Sequence, residues 1–327
     1  MSEQPAPDPA DATIAVVGPG RMGSAIAQVF AAAGHEVRLL DVKERTPAKR
    51  EAIFKEVRDT IASNLAFLTG AGRFDGDEAT VRDRIECTAD VSAALDGADW
   101  VFEALPEDPD VKTDFLRAAA EDVPAGAVVT TATSSISLAT LAPAAPDPDR
   151  LLITHWLNPA FIVPLVEVAR SERTESTAVE ATVELLDSVG KEPVICRDSP
   201  GFIGSRIQAA AMNEAVRAWE EGVASAAEID TALQSGVGFR MAAMGLIEFI
   251  DIGGVDILYY VDEYLREELG SRFDPPESVV EKMENDDLGP STGRGFYEYE
   301  DADADDLVAE KYRVMLALRD ALESVEK

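Results

Sequence analysis

Cysteine, histidine and lysine are all scarce in this chain: two, two and eight residues of 327. Cys87 and Cys196 lie far apart and show no CxxC or Cys/His spacing, which implies a reducing compartment and no metal site. No stretch approaches the ~18 consecutive apolar residues of a membrane helix, because Asp, Glu, Arg or Gly break every long run. The opening MSEQPAPDPADA has neither a basic start nor an apolar segment, so no signal peptide is read there. Residues 1–11 are expected to be a disordered leader, and the protein is expected to be cytoplasmic.

Positive charge is the other shortage. The chain carries 29 Lys+Arg against 62 Asp+Glu, a formal charge of −33. Such a field repels phosphates, which argues against a nucleic-acid or anionic-membrane partner. The acids are spread over the whole chain, and 21 of the basic residues are arginine. That surface is tolerable where about 1 M salt cuts the Debye length to roughly 3 Å. It resembles the haloarchaeal type of composition, the alternative being a merely acidic cytosolic protein.

What is present is a dinucleotide-binding pattern. In residues 13–42, TIAVVGPGRMGSAIAQVFAAAGHEVRLLDV, an apolar strand ends in Gly18, a helical stripe runs to Gly34, and a second strand ends in Asp41. Gly18 permits the tight turn, Gly20 lets backbone approach a pyrophosphate, and Gly23 lets helix and strand pack closely. Met22 lies in that turn, and the helix N-terminus offers N–H groups to the phosphates. Asp41 would accept from the adenosine ribose hydroxyls and repel a 2′-phosphate, favouring NAD, although Lys43 and Arg45 stand nearby. A long helix follows, with Ile53, Val57, Ile61, Leu65 and Leu68 on one stripe.

Strand-like runs at 84–88, 99–104, 127–132, 151–155, 164–168 and 192–196 alternate with helical segments. This predicts an α/β, Rossmann-type doubly wound, largely parallel sheet. After Asp198 only helical patterns recur, near 225–235, 253–269 and 305–325. The expected organisation is therefore an NAD-binding domain over 12–198 and an all-helical domain over 199–327, with no internal repeat.

Ligands of open α/β sheets lie beyond the carboxyl ends of the strands. His35 precedes its strand and reads as a surface turn residue, whereas His155 closes the LLIT strand on the ligand side. The NPAFIVP segment can turn the chain back, bringing Glu167 to one imidazole nitrogen. That pair fixes the tautomer and leaves the other nitrogen as a base for an alcohol; a purely structural His–Glu bond is the other reading. Ser134 and Ser135 end another strand, as hydroxyl donors to a reacting oxygen or as an N-cap.

In order along the chain, GPGRMGSAIA, VFEALPED, TSSIS, HWLNPAFIVPLVEV, DSPGFIGSRI and STGRGFYEY resemble the 3-hydroxyacyl-CoA dehydrogenase family over about residues 13–300. The resemblance implies an NAD-binding domain, a helical C-terminal domain that forms a homodimer, and oxidation of an L-3-hydroxyacyl-CoA to the 3-ketoacyl form, with a short chain such as 3-hydroxybutyryl-CoA expected. It places the catalytic pair on His155 and Glu167 and the substrate-contacting serine on Ser134. It also puts Asn158 in the HxxNP motif and Glu103 as the acid beside the nicotinamide. Ser205 stands where the family usually has Asn, so turnover is reduced or the substrate differs. GVGFRMAAMGLIEF is more similar to relatives acting on gulonate, carnitine or a pyridine carboxylate. There Arg240 would fork onto a substrate carboxylate, or else form a surface salt bridge. A dehydrogenase of a small hydroxylated carboxylate is thus the alternative, and a weakly active NAD-binding structural or sensor protein is a third. The closing STGRGFYEY is expected to pack the helical domain against its neighbour.

Overall fold

The computed structural model describes residues 7–299 and 304–325. Two compact units divide the chain at Ala211/Met212. Residues 1–6 of the expected leader lie outside the described residues. The described part is ordered: Pro9–Asp11 is a 3₁₀ turn with Asp8 accepting from the Ala10 N–H.

In the first unit, β1 (Ile14–Val17), α1 (Arg21–Ala33) and β2 (Val37–Leu40) form the opening β-α-β. Gly34 ends α1 in the left-handed region at φ +114°, a backbone state glycine adopts without strain. Helix α2 (Pro47–Gly70) starts where Thr46 caps the Lys49 N–H and Pro47 enters at the first turn. Its buried stripe is Phe54, Val57, Ile61 and Leu65, with Ile53 turned instead toward a cavity. Then follow α3 (Glu78–Asp83), β3 (Ile85–Thr88), α4 (Val91–Leu95), β4 (Trp100–Glu103), α5 (Pro109–Ala118) and β5 (Val128–Thr131). The unit continues with α6 (Leu138–Leu141), β6 (Leu151–Trp156), β7 (Leu165–Arg170), α7 (Ser176–Ser188) and β8 (Glu192–Arg197).

These strands make one sheet in the order β3-β2-β1-β4-β5-β6-β7-β8. All neighbours run parallel except β6 and β7, which are antiparallel because the segment after Trp156 turns the chain back. Both faces of the central strands β1, β4, β5 and β6 are buried, as a sheet covered by helices requires. Ile14 and Val16 join one core with Phe30 and Trp100, while Ala15 and Val17 join the other with Val101 and Leu116. His35 is not a surface residue: its ring stacks edge-on to Phe30 and its Nδ1 lies 3.1 Å from the Ala12 carbonyl.

Helix α8 (Gly204–Glu220) carries the chain from the first unit into the second. The division into compact units falls inside this helix, whose first residue, Gly204, donates its N–H to Glu167. The second unit holds α9 (Ala226–Ala232), a π-helical turn Leu233–Val237, α10 (Gly238–Met241), α11 (Leu246–Gly253), α12 (Val255–Leu269), α13 (Glu277–Glu284) and α14 (Ala304–Val325). Within this unit the closing motif is held by one acid. Buried Asp251 of α11 accepts from the N–H groups of Phe296 and Tyr297 and from the Tyr299 hydroxyl. A Cβ on Gly295 would lie 2.4 Å from its Oδ1, so glycine is needed there.

Candidate active site

The turn after β1 builds the first half of the site. Gly18 has φ +108°, and a Cβ there would stand 2.7 Å from the Ala104 carbonyl oxygen. A Cβ on Gly23 would stand 1.9 Å from the Gly18 carbonyl oxygen, so α1 rests on the turn only because that position is bare. Gly20 is different: nothing of the protein lies within 4 Å of where its Cβ would be. Its bare face is left open for a ligand, here beside the N-terminus of α1.

A cavity of about 720 Å³ follows, lined among others by Gly18, Gly20, Met22, Asp41, Leu105 and Asn158. Its size suits a large organic ligand. The open glycine face, the helix N-terminus and the acid at the end of β2 together fit a dinucleotide. Asp41 is only 2% exposed because Arg45 covers it, its Nε donating to Oδ2 at 2.7 Å.

The second half of the site stands at the ends of β5, β6 and β7. The antiparallel register sets His155 directly opposite Glu167. His155 Nδ1 lies 2.7 Å from Glu167 Oε2. The other oxygen, Oε1, accepts from the N–H groups of Ile203 and Gly204, each at 2.8 Å. Glu167 is fully buried, and such a carboxylate is tolerable only because three donors hold it. The imidazole rests against Phe202, with ring centroids 5.3 Å apart. Among the described residues no hydrogen bond engages its Nε2.

Ser134 follows β5, whose Thr131 pairs with Ile153 of β6, so the serine turn and the histidine leave adjacent strands on one side of the sheet. Its hydroxyl has no partner among the described residues. The turn itself is fastened by Glu107, whose Oε1 accepts from the Ser134 and Ser135 N–H groups at 2.9 Å and from the Thr133 and Ser135 hydroxyls. Partial burial pushes the Glu107 carboxyl up, but the hydroxyl and amide donors and the charge of Lys112 outweigh it and hold the carboxyl below its ordinary value.

Glu103 does not stand where it was expected. Its side chain is fully buried and does not line the cavity. Both oxygens bind Lys112 Nζ, at 2.8 and 2.9 Å, while Thr131 Oγ1 donates to one and the Leu105 N–H to the other. The pair braces the loop that forms the cavity wall at Ala104 and Leu105. The acid on the accessible side is Glu107, four residues on in the same VFEALPED motif.

Asn158 lines the cavity, as does Phe161. Their loop is clamped from below by buried Lys191, whose Nζ donates to the carbonyls of Ala160 at 2.5 Å and Val163 at 3.0 Å. Burial lowers the pKa of that amine. Ser205 lies in the first turn of α8, next to the Gly204 N–H that binds Glu167. Cys196 is no nucleophile at neutral pH: burial, followed by the charges of Glu167 and Asp198, pushes its thiol up to about 11. Arg240 is in the second unit, on α10, with its guanidinium 4.7 Å from the centroid of the Phe249 ring and its Nε donating to the Gly236 carbonyl. It pairs with no carboxylate among the described residues. No cluster of His, Cys, Asp and Glu among the described residues is arranged to hold a metal, and no helix there is long and apolar enough to cross a membrane.

Sequence reasoning missed Glu107, Lys112 and Lys191. For Glu107 and Lys112 a signal existed, since both are charges within a few residues of a strand end on the ligand side. Lys191 lies at the other end of the sheet's connectivity, and only the fold brings it under the loop.

Residues 13–199 match the family model described as 3-hydroxyacyl-CoA dehydrogenase, NAD binding domain, and residues 201–299 match 3-hydroxyacyl-CoA dehydrogenase, C-terminal domain. The chain is 32% identical over 315 residues to 5-formyl-3-hydroxy-2-methylpyridine 4-carboxylate 5-dehydrogenase of Mesorhizobium japonicum, covering 96% of this chain and 99% of that one. It is 32% identical over 285 residues to a probable 3-hydroxybutyryl-CoA dehydrogenase of Deinococcus radiodurans, covering 87% and 99%. Among solved structures, a 3-hydroxyacyl-CoA dehydrogenase of Archaeoglobus fulgidus superposes with a TM-score of 0.75 at 29% identity, covering 94% of this chain and 99% of that one. A dinucleotide turn, a buried His–Glu pair, two consecutive domain models and relatives of nearly equal length therefore agree: the chain belongs to the 3-hydroxyacyl-CoA dehydrogenase family and is an NAD-dependent oxidoreductase of that type.

Proposed function

We propose that this chain oxidises an L-3-hydroxyacyl-CoA, of short chain such as 3-hydroxybutyryl-CoA, to the 3-ketoacyl-CoA, with His155 as the base. The observation that carries the reading is the 2.7 Å contact between His155 Nδ1 and a carboxylate already held by two backbone N–H groups. A carboxylate so fixed accepts a hydrogen bond from Nδ1–H, which keeps the proton on Nδ1 and leaves the lone pair of Nε2 to take a proton from the substrate hydroxyl. As the imidazolium forms, the buried charge of Glu167 stabilises it without having to reorient. Ser134, with its hydroxyl unengaged, donates to the oxygen as it passes from alcohol to ketone, and Glu107 keeps that serine's turn in place. The bound nicotinamide supplies the hydride acceptor. Ser205 offers a shorter donor where the family has an amide. Exposed Val216 and Trp219 on α8 and Tyr260 and Tyr264 on α12 support a homodimer.

A second reading, oxidation of a small hydroxylated carboxylate, is favoured by Arg240. Its guanidinium rests on an aromatic face with no carboxylate partner among the described residues, which leaves its fork available to a substrate acid. NADH appearance in about 2–3 M KCl, chosen to screen the surface charge, separates the two. L-3-hydroxybutyryl-CoA should turn over, with free L-carnitine, L-gulonate and 3-hydroxybutyrate inert; the reverse pattern would move the assignment to the carboxylate. For a carboxylate substrate, Arg240→Met should raise KM by about tenfold or more, the loss of a charge-assisted bidentate contact. An unchanged KM would remove Arg240 as the anchor.

A further inference from the structure

We infer that the adenosine end of the cavity also accepts a 2′-phosphate, so that the chain binds NADP(H) as well as NAD(H). The inference rests on the cofactor assignment of the site and extends it to a second ligand.

An acid at the end of β2 excludes a 2′-phosphate when its charge is exposed and uncompensated. Asp41 is neither. Its Oδ2 accepts from Arg45 Nε at 2.7 Å, Arg50 Nε lies 3.8 Å away, and its Oδ1 accepts from the Lys43 N–H at 3.3 Å. The carboxylate is 2% exposed, whereas the arginine side chains above it are 26% and 27% exposed. A ligand reaching this end of the cavity therefore meets guanidinium before it meets carboxylate.

The donors are also uncommitted. Among the described residues Arg45 uses only its Nε, on Asp41, so its two terminal nitrogens can fork onto a phosphate. Arg50 is less available, since one terminal nitrogen donates to the Lys43 carbonyl and its Nε is buried. The Lys43 ammonium is exposed, has no carboxylate partner among the described residues, and lines the same cavity as Arg45. Lys49 stands with Arg45 and Arg50 around an adjoining hollow. Facing these four cations are Asp41 and exposed Glu44; Glu51 is bound to Arg58, and Glu56 belongs to the stretch of wall formed by α2. A surplus of positive charge thus surrounds the β2 acid, with Lys43 and Arg45 on the cavity itself, in a chain that is otherwise strongly acidic. It is placed where an arginine beside the β2 acid accommodates a 2′-phosphate. With NADP bound, the guanidinium of Arg45 bridges Asp41 and the phosphate; with NAD bound, it stays on Asp41 and shares the ribose hydroxyls.

The test is direct titration of the full chain with NADH and with NADPH, followed by nicotinamide fluorescence at one fixed salt concentration, so that no substrate need be known. NADPH should bind within about thirtyfold of NADH, a gap of roughly 2 kcal/mol; weaker binding than that overturns the inference while leaving the NAD site intact. Arg45→Leu should lower NADPH affinity by about tenfold more than NADH affinity, and an unchanged ratio would also overturn it. Should Arg45→Leu fail to fold, Lys43→Ala, an exposed substitution, should move the same ratio in the same direction by about threefold. Binding of neither nucleotide would instead overturn the cofactor assignment on which the inference stands.

Discussion

Replacing His155 by alanine is expected to lower kcat by a factor of about 10²–10⁴, the range contributed by a positioned general base. NADH binding should survive, because the cavity that fits the dinucleotide is lined by the turn after β1 and by α2, and His155 is not part of its wall. The variant also takes the imidazole from Glu167 Oε2, leaving one oxygen of a buried carboxylate unpaired at a cost of about 1–3 kcal/mol. A thermal melt run beside the kinetics therefore separates a folded, inactive enzyme from a lost one. Glu167→Gln makes a sharper companion. A neutral amide can accept from Nδ1 or from the Ile203 and Gly204 N–H groups, but it cannot satisfy both sides. The imidazolium then forms beside no counter-charge, and kcat should fall with a changed pH–rate profile. A merely structural role would leave that profile where it was. Retention of kcat within about threefold in His155→Ala, well below the effect of losing a general base, would sink the assignment of the base.

The pair was legible before the fold because its residues are out of place. A histidine and a glutamate inside apolar strands must find partners, and the intervening NPAFIVP can only turn the chain back. The antiparallel register then follows and sets the two side chains opposite one another. The glycine turn was legible for a similar reason, since spacing alone distinguishes which glycine must be bare. Glu103 was not. All of β4 is buried on both faces, so its apolar residues Trp100, Val101 and Phe102 carry no alternation from which the pleat could be read. Structure supplies the parity: Val101 faces the core that contains Phe115 and Leu116 of α5, and Glu103, two residues on, faces the same way and meets Lys112 of that helix. Glu107, beyond the strand, escapes the pleat and reaches the serine turn. His35 was misread because Gly34 in its left-handed conformation folds the chain back onto Phe30. A boundary near residue 198 is legible as a change of composition, and the N–H groups of Ile203 and Gly204, just beyond it, complete the site.

The glycines of the first turn provide a test in which folding and binding part company. Gly23→Ala places a methyl group 1.9 Å from the Gly18 carbonyl oxygen, with Gly18 carbonyl carbon at 3.1 Å, so the helix must lift from the strand or the turn must deform. Neither neighbour is a flexible side chain. Overpacking of this kind costs about 1–3 kcal/mol or more, and the displaced N-terminus of α1 no longer aims its N–H groups at the cavity. Loss of both thermal stability and NADH binding is the expected outcome. Gly20→Ala should behave differently. Its backbone, at φ −83° and ψ −177°, is open to any residue, and its Cβ would meet nothing within 4 Å. Stability should drop by only about 1 kcal/mol, the penalty for alanine in place of glycine at a helix N-cap. Yet the new methyl group projects into the space kept for the pyrophosphate, so NADH affinity should fall by about tenfold or more. Melting curves and nucleotide titrations of the two variants read these quantities separately. A Gly20→Ala protein that bound NADH as tightly as the parent would mean that the phosphates do not cross this turn, and a Gly23→Ala protein of parental stability would mean that α1 does not rest on it.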